Sequence, residues 1–296
     1  MPPADAFGSL VAAAAERLQA SGSPSARLDA EVLVAHVVER DRSWVLAHPD
    51  DMLDADSVDR LRTAVDRRVA GEPIAYIRGF RDWQSLRIRT DNRALIPRPE
   101  TELLAEAAIA ELELRLARNG QPIVAWEVAT GTGAVTLAVA LRFRQVIRLG
   151  RIRLIASDLS PDALELAEEN LADHRATDLV SLACADLLEP AGVSLPLPDL
   201  VIANLPYVAS ADVDAREDSL GFEPRMALDG GADGLGVLRS LLADLPSRAA
   251  PRATILLEIG VGQATEIAAL GPAGAAFGVV PDLAGLDRVV RIDLRD

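Results

Sequence analysis

The sequence predicts an α/β protein whose main domain is a mostly parallel sheet covered by helices on both faces, preceded by a small all-helical domain. Two observations predict this arrangement. The first seventy or so of the 296 residues show helical spacing and no strong strand. From residue 123 onward, short apolar strands alternate with helices. Such alternation is typical of parallel sheets, because each crossover places a helix on one face of the sheet.

The helical segment is expected to end at Gly71-Glu72-Pro73, which gives three predicted domains. Residues 1–72 form the helical domain, in which Ser57 is expected to cap a helix. Residues 73–96 form a hairpin linker around Arg81-Asp82, and residues 97–296 form the sheet domain.

The elements of the third domain follow from apolar runs and their glycine, proline and asparagine boundaries. The predicted order is helix 102–117, strand 123–128, helix 134–141, strand 152–157, helix 161–171, strand 180–184, strand 200–203, helix 235–245, strand 254–259, helix 263–270 and two closing strands near 277–280 and 289–294. This order predicts a seven-stranded, mostly parallel sheet of the Rossmann-like type.

Composition excludes several classes of function. All 30 basic residues are arginine, which removes Schiff-base, lysine-base and P-loop lysine mechanisms. A single cysteine and three scattered histidines exclude a disulfide and argue against a metal site, so we expect no metal. The formal net charge of −15 disfavours stable binding of nucleic acid or of anionic membranes.

Targeting signals are also lacking in the sequence. No apolar run approaches the roughly 18 to 20 residues of a membrane span, and the N-terminus has no basic region of a signal peptide. We therefore expect a cytoplasmic chain without membrane contact, acting as a monomer.

A glycine turn follows the first strand of the sheet domain. Its residues, Ala129-Thr130-Gly131-Thr132-Gly133, lead directly into a helix, so free backbone amides can approach a polar ligand closely. The dinucleotide fingerprint needs a third glycine where Thr136 stands, so a nicotinamide or flavin is disfavoured. The alternative is an ordinary tight connection.

Acidic residues follow the next two strands. Asp158 can accept hydrogen bonds from both hydroxyls of a ribose, it can cap the following helix, and the two roles are compatible. Asp186-Leu187 can hold an adenine, or can form an ordinary loop. A glycine turn followed by a strand-end acid is typical of enzymes that use S-adenosylmethionine.

The fourth strand ends in Asn204-Leu205-Pro206-Tyr207. An amide or exocyclic amine is a poor nucleophile, because its lone pair is delocalised. Methylating it requires acceptors that hold the N–H bonds out of conjugation and stabilise the developing positive charge. The Asn204 side chain and the Leu205 carbonyl supply two acceptors, stiffened by Pro206, and Tyr207 supplies a flat face. The alternative is a turn with a core tyrosine.

Eight segments along nearly the whole chain form a recognisable set. They are Arg27-Leu28-Asp29-Ala30-Glu31, Gly71-Glu72-Pro73-Ile74-Ala75-Tyr76, Leu95-Ile96-Pro97-Arg98-Pro99-Glu100-Thr101-Glu102, Thr130-Gly131-Thr132-Gly133-Ala134, Asn204-Leu205-Pro206-Tyr207, Glu223-Pro224-Arg225-Met226-Ala227-Leu228-Asp229-Gly230-Gly231-Ala232-Asp233-Gly234, Glu258-Ile259-Gly260 and Asp282-Leu283-Ala284-Gly285. Together they resemble the HemK/PrmC family of release-factor glutamine methyltransferases. The third and the sixth are specific to this family.

Residues 229–234 fail the calcium-loop pattern, so we expect a turn beside the active site.

The resemblance implies a class I S-adenosylmethionine-dependent methyltransferase fold. It also implies methyl transfer from S-adenosyl-L-methionine to the glutamine of the Gly-Gly-Gln motif in class 1 peptide release factors, with the helical domain gripping that protein. Two residues depart from the family pattern. Leu205 replaces a proline but keeps its carbonyl, and Ala129 stands where glycine is usual. If residue 129 needs a positive φ, alanine costs about 1 kcal/mol there.

Two other functions remain open. Ribosomal RNA adenine dimethyltransferases also carry Asn-Leu-Pro-Tyr, so an adenine-N6 methyltransferase acting on RNA or DNA is an alternative, although the sequence offers no basic groove. The third possibility is an inert binding module that kept the fold and lost cofactor binding through Ala129.

Overall fold

The computed structural model describes residue 3 and the ranges 5–118, 120–192, 194–215 and 219–295. It divides into two compact units. The first contains the described residues up to Phe80 together with 219–222, and the second contains the described residues of 81–215 and 223–295.

The first unit is a bundle of short helices. Its helices are α1 (Phe7–Ala20), α2 (Ala26–Val37), α3 (Arg42–Ala47), α4 (Ala55–Val69) and α5 (Ile74–Arg78). Their apolar faces meet in one core, in which Leu18 and Leu33 are fully buried. Helix α4 begins earlier than the sequence predicted. Asp54 is the N-cap and accepts a 2.7 Å hydrogen bond from the Ser57 amide, so Ser57 is a capped residue and not the cap.

A two-stranded hairpin joins the helices to the sheet, with β1 at Phe80–Trp83 and β2 at Leu86–Arg89. Its turn lies at Gln84 and Ser85, whose φ angles are 45° and 61°, and not at Arg81-Asp82 as predicted. Hairpin turns with positive φ angles are recognised in a sequence mainly by glycine, asparagine or aspartate. None of these residues occurs at 84–85, which explains why the turn was misplaced.

The second unit alternates strands and helices almost as predicted. Its elements are α6 (Thr101–Arg118), β3 (Ile123–Val128), α7 (Ala134–Arg142), α8 (Arg144–Arg148), β4 (Ile152–Asp158), α9 (Pro161–Asp173), β5 (Val180–Asp186), β6 (Glu189–Pro190), β7 (Leu200–Asn204), α10 (Ser210–Asp214), α11 (Gly236–Arg248), β8 (Thr254–Glu258), α12 (Ala264–Leu270), β9 (Ala276–Pro281) and β10 (Asp287–Asp293).

The strands form one sheet in the order β6-β5-β4-β3-β7-β8-β10-β9. Strands β3, β4, β5, β7 and β8 are parallel, and β6, β9 and β10 pair antiparallel at the two edges. The predicted fold class is confirmed, and the two-residue β6 adds an eighth strand to the expected seven. None of the described helices is long and apolar enough to cross a membrane.

Alternate residues of the central strands enter two cores. On β7, Leu200 and Ile202 pack on the face that carries α6 and α7, whereas Val201 and Ala203 pack on the face that carries α11. The chain runs from β3 outward to β5 and then returns to β7 on the other side of β3. Such a reversal opens a crevice at the carboxyl ends of the strands, which is where open α/β sheets bind ligands.

Candidate functional site

A cavity of about 230 Å³ lies at this reversal point, beyond the carboxyl ends of β3, β4, β5 and β7. Most of the residues predicted from the sequence to form the site lie in its wall: Ala129, Thr130, Gly131, Thr132, Asp158, Asp186, Leu187, Asn204, Leu205 and Pro206. Among the described residues, Gly133 and Tyr207 are the two predicted site residues that do not line it. The topology thus brings together four strand ends that are far apart in sequence.

The glycine turn has a left-handed backbone at alternate residues. The φ angles are 55° at Ala129, 55° at Gly131 and 76° at Gly133. Gly133 is the N-cap of α7 behind the cavity wall, and a Cβ there would lie 3.1 Å from the Cβ of Ala167 on α9. Gly133 therefore allows α7 and α9 to pack closely, while Gly131 turns backbone toward the cavity.

Ala129 has the positive φ at which alanine is expected to cost free energy. Its φ of 55° is a conformation that residues other than glycine, asparagine and aspartate rarely adopt. The left-handed conformation costs about 1 to 2 kcal/mol for a residue with a Cβ. The surrounding fold holds Ala129 in place, since the next amide, that of Thr130, donates a 2.9 Å hydrogen bond to Ser157.

Asp158 ties the glycine turn to the end of β4. Its Oδ2 accepts from the Gly131 amide at 2.8 Å, and its Oδ1 accepts from the Ser160 amide at 2.9 Å. Burial raises the pKa of Asp158, and these backbone hydrogen bonds oppose that rise. The N-cap of α9 is Ser160, which accepts from Ala163, so the capping alternative for Asp158 is wrong.

Beyond Asp158 the cavity has apolar walls. Leu159 is 53% exposed, and Leu187 has a left-handed φ of 52° that turns the chain after β5. Asp186 is exposed at the same edge. Apolar side chains facing an open cavity beside two carboxylates suit a ligand with one flat apolar part and several polar groups.

The acceptor segment Asn204-Leu205-Pro206-Tyr207 forms the opposite wall. The Asn204 Nδ2 donates to the Thr101 Oγ1 at 3.3 Å, and the Gln263 Nε2 donates to the Tyr207 carbonyl at 3.2 Å. Tyr207 does not line the cavity, and burial raises the pKa of its hydroxyl. The segment is thus held by side chains from α6 and from the start of α12.

The glycine-rich segment 229–234 packs directly on the acceptor segment. A Cβ at Gly230 would lie 2.7 Å from the Pro206 carbonyl oxygen, and one at Gly234 would lie 2.5 Å from that of Tyr207. The Gly230 amide donates to the Val208 carbonyl at 2.8 Å. As the sequence analysis predicted, this segment is a turn beside the acceptor residues.

An ion pair joins two distant segments at the cavity. The Glu223 Oε1 accepts from Arg98 at 2.5 Å, and its Oε2 accepts from the Ile96 amide at 2.9 Å. The Glu223 side chain is 1% exposed, so its charge is compensated in a largely dry setting. Arg98 and Glu223 lie in the two segments that are specific to the family resemblance, 95–102 and 223–234. Their ion pair explains why the two segments occur together.

Comparison with known proteins gives strong similarity along the chain. Residues 9–79 match the family model described as the PrmC N-terminal domain. A release factor glutamine methyltransferase of Deinococcus radiodurans is 36% identical over 95% of this chain and 96% of its own length. One of Moorella thermoacetica is 35% identical over 93% of this chain and 94% of its own.

The chain belongs to the release factor glutamine methyltransferase family. This confirms the resemblance identified from the sequence. The fold also matches the hMettl16 catalytic domain crystallised with MAT2A 3'UTR hairpin 1, with a TM-score of 0.52 over 82% of each chain at 14% identity, a likeness that concerns the fold alone.

The structure adds residues to the site that sequence reasoning did not assign. Glu127, at the end of β3, is buried in the cavity wall, and its Oε2 accepts from the Thr130 hydroxyl at 2.7 Å and from both the amide and the hydroxyl of Thr136. Burial raises the pKa of Glu127 to about 7, although the Thr136 and Thr130 hydrogen bonds lower it. Its position before the glycine turn was the available signal.

Thr101 and Arg98 also line the cavity. In the sequence they stood only within a family segment, with no chemical role. Among the described residues, no cluster of histidine, cysteine, aspartate and glutamate has the arrangement of a metal site.

Proposed function

We propose that this chain transfers a methyl group from S-adenosyl-L-methionine to the side-chain amide nitrogen of glutamine in the Gly-Gly-Gln motif of class 1 peptide release factors. The observation that carries the proposal is the meeting, in one cavity, of the glycine turn after β3 with the Asn204-Leu205-Pro206 segment after β7. Relatives about 35% identical over nearly the full chain bear the corresponding name.

The donor half of the cavity fits S-adenosylmethionine. Bound there, it supplies an electrophilic methyl group on a positively charged sulfur. The carboxylates of Asp158 and Asp186 and the buried carboxyl of Glu127 favour a cation in this half. The Asp158 oxygens can accept from ribose hydroxyls, and Leu159 and Leu187 can enclose a flat base.

The acceptor half suits an uncharged carboxamide. The Asn204 Nδ2 is engaged by Thr101, which leaves its Oδ1 as an acceptor for a substrate N–H. The backbone carbonyl of Leu205 is the second acceptor in the same wall. Two fixed acceptors hold the nitrogen lone pair out of conjugation and stabilise the positive charge that develops as the N–CH₃ bond forms.

No basic residue is needed before the transfer. The amide proton becomes acidic only once the nitrogen is alkylated, and it then leaves to solvent or to a nearby acceptor. The chain's contribution is therefore orientation and electrostatic stabilisation, which is consistent with its lack of lysine and its few histidines.

The helical unit, which contains the matched residues 9–79, is proposed to grip the protein substrate. The proposal keeps the domain limits of 1–72, 73–96 and 97–296 and a monomeric chain in the cytoplasm that forms no stable complex with nucleic acid.

The test is incubation with S-adenosylmethionine labelled in its methyl group and a class 1 release factor, followed by mass mapping of the label. The matched control is the same factor with its Gly-Gly-Gln glutamine replaced by alanine. The proposal predicts one label on that glutamine and none on the control. Label on an adenine of added RNA would support the alternative methyltransferase, and no binding of S-adenosylmethionine at millimolar concentration would indicate an inert module.

A further inference from the structure

Glu258, the last residue of β8, is a buried acid next to the proposed acceptor wall. It is 2% exposed, and it does not line the cavity. The methyl transfer proposed above does not use Glu258. A buried carboxyl group is costly to the fold unless its neighbours compensate it, so its surroundings are informative.

Glu258 and Asn204 are direct neighbours across two parallel strands. Register pairs Asn204 of β7 with Glu258 of β8. Residues 200 and 202 of β7 and residue 256 of β8 pack on the face of the sheet that carries α6. Because side chains alternate along a strand, Asn204 and Glu258 point to that same face, where α6 begins at Thr101.

Three side chains are linked there. The Glu258 carboxyl lies beside the side chains of Thr101 and Asn204, both of which lower its pKa. The Asn204 Nδ2 donates to the Thr101 Oγ1 at 3.3 Å. The Glu258 Oε2 is buried without a hydrogen-bond partner among the described residues. The NH₂ group of Asn204 thus donates to Thr101, and the buried Glu258 carboxyl is its neighbour on the adjacent strand.

The chemistry of a carboxyl group fixes the orientation of the amide. Above about pH 7, where Glu258 is ionised, its carboxylate accepts hydrogen bonds and donates none, so the NH₂ end of Asn204, which also donates to Thr101, faces Glu258. The reverse orientation would place the Asn204 Oδ1 against carboxylate oxygens and leave buried polar groups unpaired. The Oδ1 is therefore directed away from Glu258.

The burial of Glu258 raises its pKa to about 7. The Thr101 hydrogen bond lowers it, Glu100 raises it further by like charge, and Arg288 and the Asn204 hydrogen bond lower it. An exposed or apolar residue at this position would avoid the cost of burial. A role of the Glu258 carboxyl group in the site would explain why this free-energy cost of burial is retained.

We propose that Glu258 is a positioning residue that, together with Thr101, sets the amide orientation of Asn204, so that its Oδ1 faces the methyl-accepting nitrogen. The proposal rests on the proposed function, because it concerns the acceptor that the methyl transfer requires. It predicts that the effect of Glu258 on turnover passes through Asn204.

A double-mutant cycle tests this route. Glu258→Ala, Asn204→Ala and the double variant are assayed at saturating S-adenosylmethionine and release factor, with wild type in parallel. Partners that orient a metal ligand typically contribute about 10- to 100-fold, and we expect a loss of kcat of about that size for Glu258→Ala by analogy. In the Asn204→Ala background the same change should have little further effect.

Three further measurements separate positioning from a general loss of structure. The dissociation constant for S-adenosylmethionine should stay unchanged in Glu258→Ala. Glu258→Gln should recover most of kcat, since its carbonyl can accept the same N–H. The matched control is Glu111→Gln, a buried acid of α6 that contacts Arg115 and Arg291, and it should leave kcat unchanged.

Equal losses of kcat in the wild-type and Asn204→Ala backgrounds would overturn the proposal, as would an undiminished kcat in Glu258→Ala. If Glu258→Ala does not fold, Thr101→Val replaces it in the cycle and is judged by the same criterion. A wild-type chain that binds S-adenosylmethionine but methylates no glutamine would overturn the proposed function and this proposal together, whereas an active wild type with additive losses overturns this proposal alone.

Discussion

Gly234 contacts the backbone of Tyr207 so closely that a Cβ on Gly234 would lie 2.5 Å from the Tyr207 carbonyl oxygen. The φ of Gly234 is 75°, which also favours glycine. This contact makes the shape of the acceptor segment depend on a turn that is distant from it in sequence.

Gly234→Ala is therefore expected to displace the acceptor segment. Strain at the left-handed position alone amounts to about 1 to 2 kcal/mol, and the backbone clash adds to it. We expect a lower melting temperature and a lower kcat, measured by thermal unfolding and by methyl transfer to a release factor. Gly120→Ala is the matched control, because a Cβ there meets nothing within 4 Å and its φ is not left-handed. Equal behaviour of both variants would contradict the contact.

Ala129→Gly should stabilise the protein, because glycine adopts the φ of 55° without the Cβ penalty. The unfolded chain gains freedom with glycine, which offsets part of the benefit, so the expected net gain is about 0.5 to 1 kcal/mol. Chemical denaturation measures it, and titration should show equal or tighter binding of S-adenosylmethionine. A loss of stability would show that Ala129 is not strained.

Asn204→Ala tests the side-chain acceptor. Removing one fixed group that stabilises developing charge typically costs about 10² to 10³ in kcat, and we expect that loss with nearly unchanged affinity for S-adenosylmethionine. Asp158→Ala should do the reverse and chiefly raise the cofactor KM, since Asp158 holds the glycine turn through Gly131. Steady-state kinetics with each substrate varied distinguishes the two. Unimpaired turnover in Asn204→Ala would remove Asn204 from the mechanism.

The stability of the protein should depend on pH through Glu258. Its pKa is raised from 4.5 in the unfolded chain to about 7 in the fold, so the folded state binds the extra proton between these values. Its contribution to stability is complete below about pH 4.5 and is lost as the pH rises through 7, a change of about 3 kcal/mol.

Glu258→Gln removes this titration. Denaturation at pH 5.5 and pH 8 should therefore show the wild type losing stability relative to the variant as the pH rises. Parallel changes in both proteins would contradict the raised pKa. Glu127, whose pKa is also raised to about 7 by burial, should add a second such contribution that Glu127→Gln removes.

The proposed role of the helical unit predicts a difference between substrates. A chain that begins at residue 73 should lose more activity on an intact release factor than on a short Gly-Gly-Gln peptide, because the peptide offers no second surface to grip. Circular dichroism and S-adenosylmethionine titration verify that the shortened chain is folded. Equal losses on both substrates would contradict the gripping role.

Much of the fold was predictable because its signals are local. Strand β3 was predicted with the observed bounds, since an apolar run meets a glycine turn at its end. The hairpin turn was misplaced because Gln84 and Ser85 carry no turn signature. Cys184 on β5 is exposed, because β5 lies near the sheet edge, and the neighbours in space that decide such burial cannot be read from the sequence.

The candidate site was predictable where a motif names its chemistry, as at the glycine turn and at Asn204. Glu127, Glu258 and Thr101 were missed as functional residues, because their roles depend on burial and on partners far away in sequence. The Tyr207 ring was expected to supply a flat surface at the site, but Tyr207 does not line the cavity. Its backbone is held by the Gln263 side chain and by the glycine-rich segment 229–234.

The central claim is that a carboxamide nitrogen is held between the Asn204 Oδ1 and the Leu205 carbonyl oxygen. A crystal structure with a methylated Gly-Gly-Gln peptide and S-adenosylhomocysteine tests it most directly. The account predicts that the glutamine nitrogen lies within hydrogen-bond distance, about 2.7 to 3.2 Å, of at least one of these oxygens, with the second oxygen beside it. Both oxygens turned away from the glutamine would contradict the account.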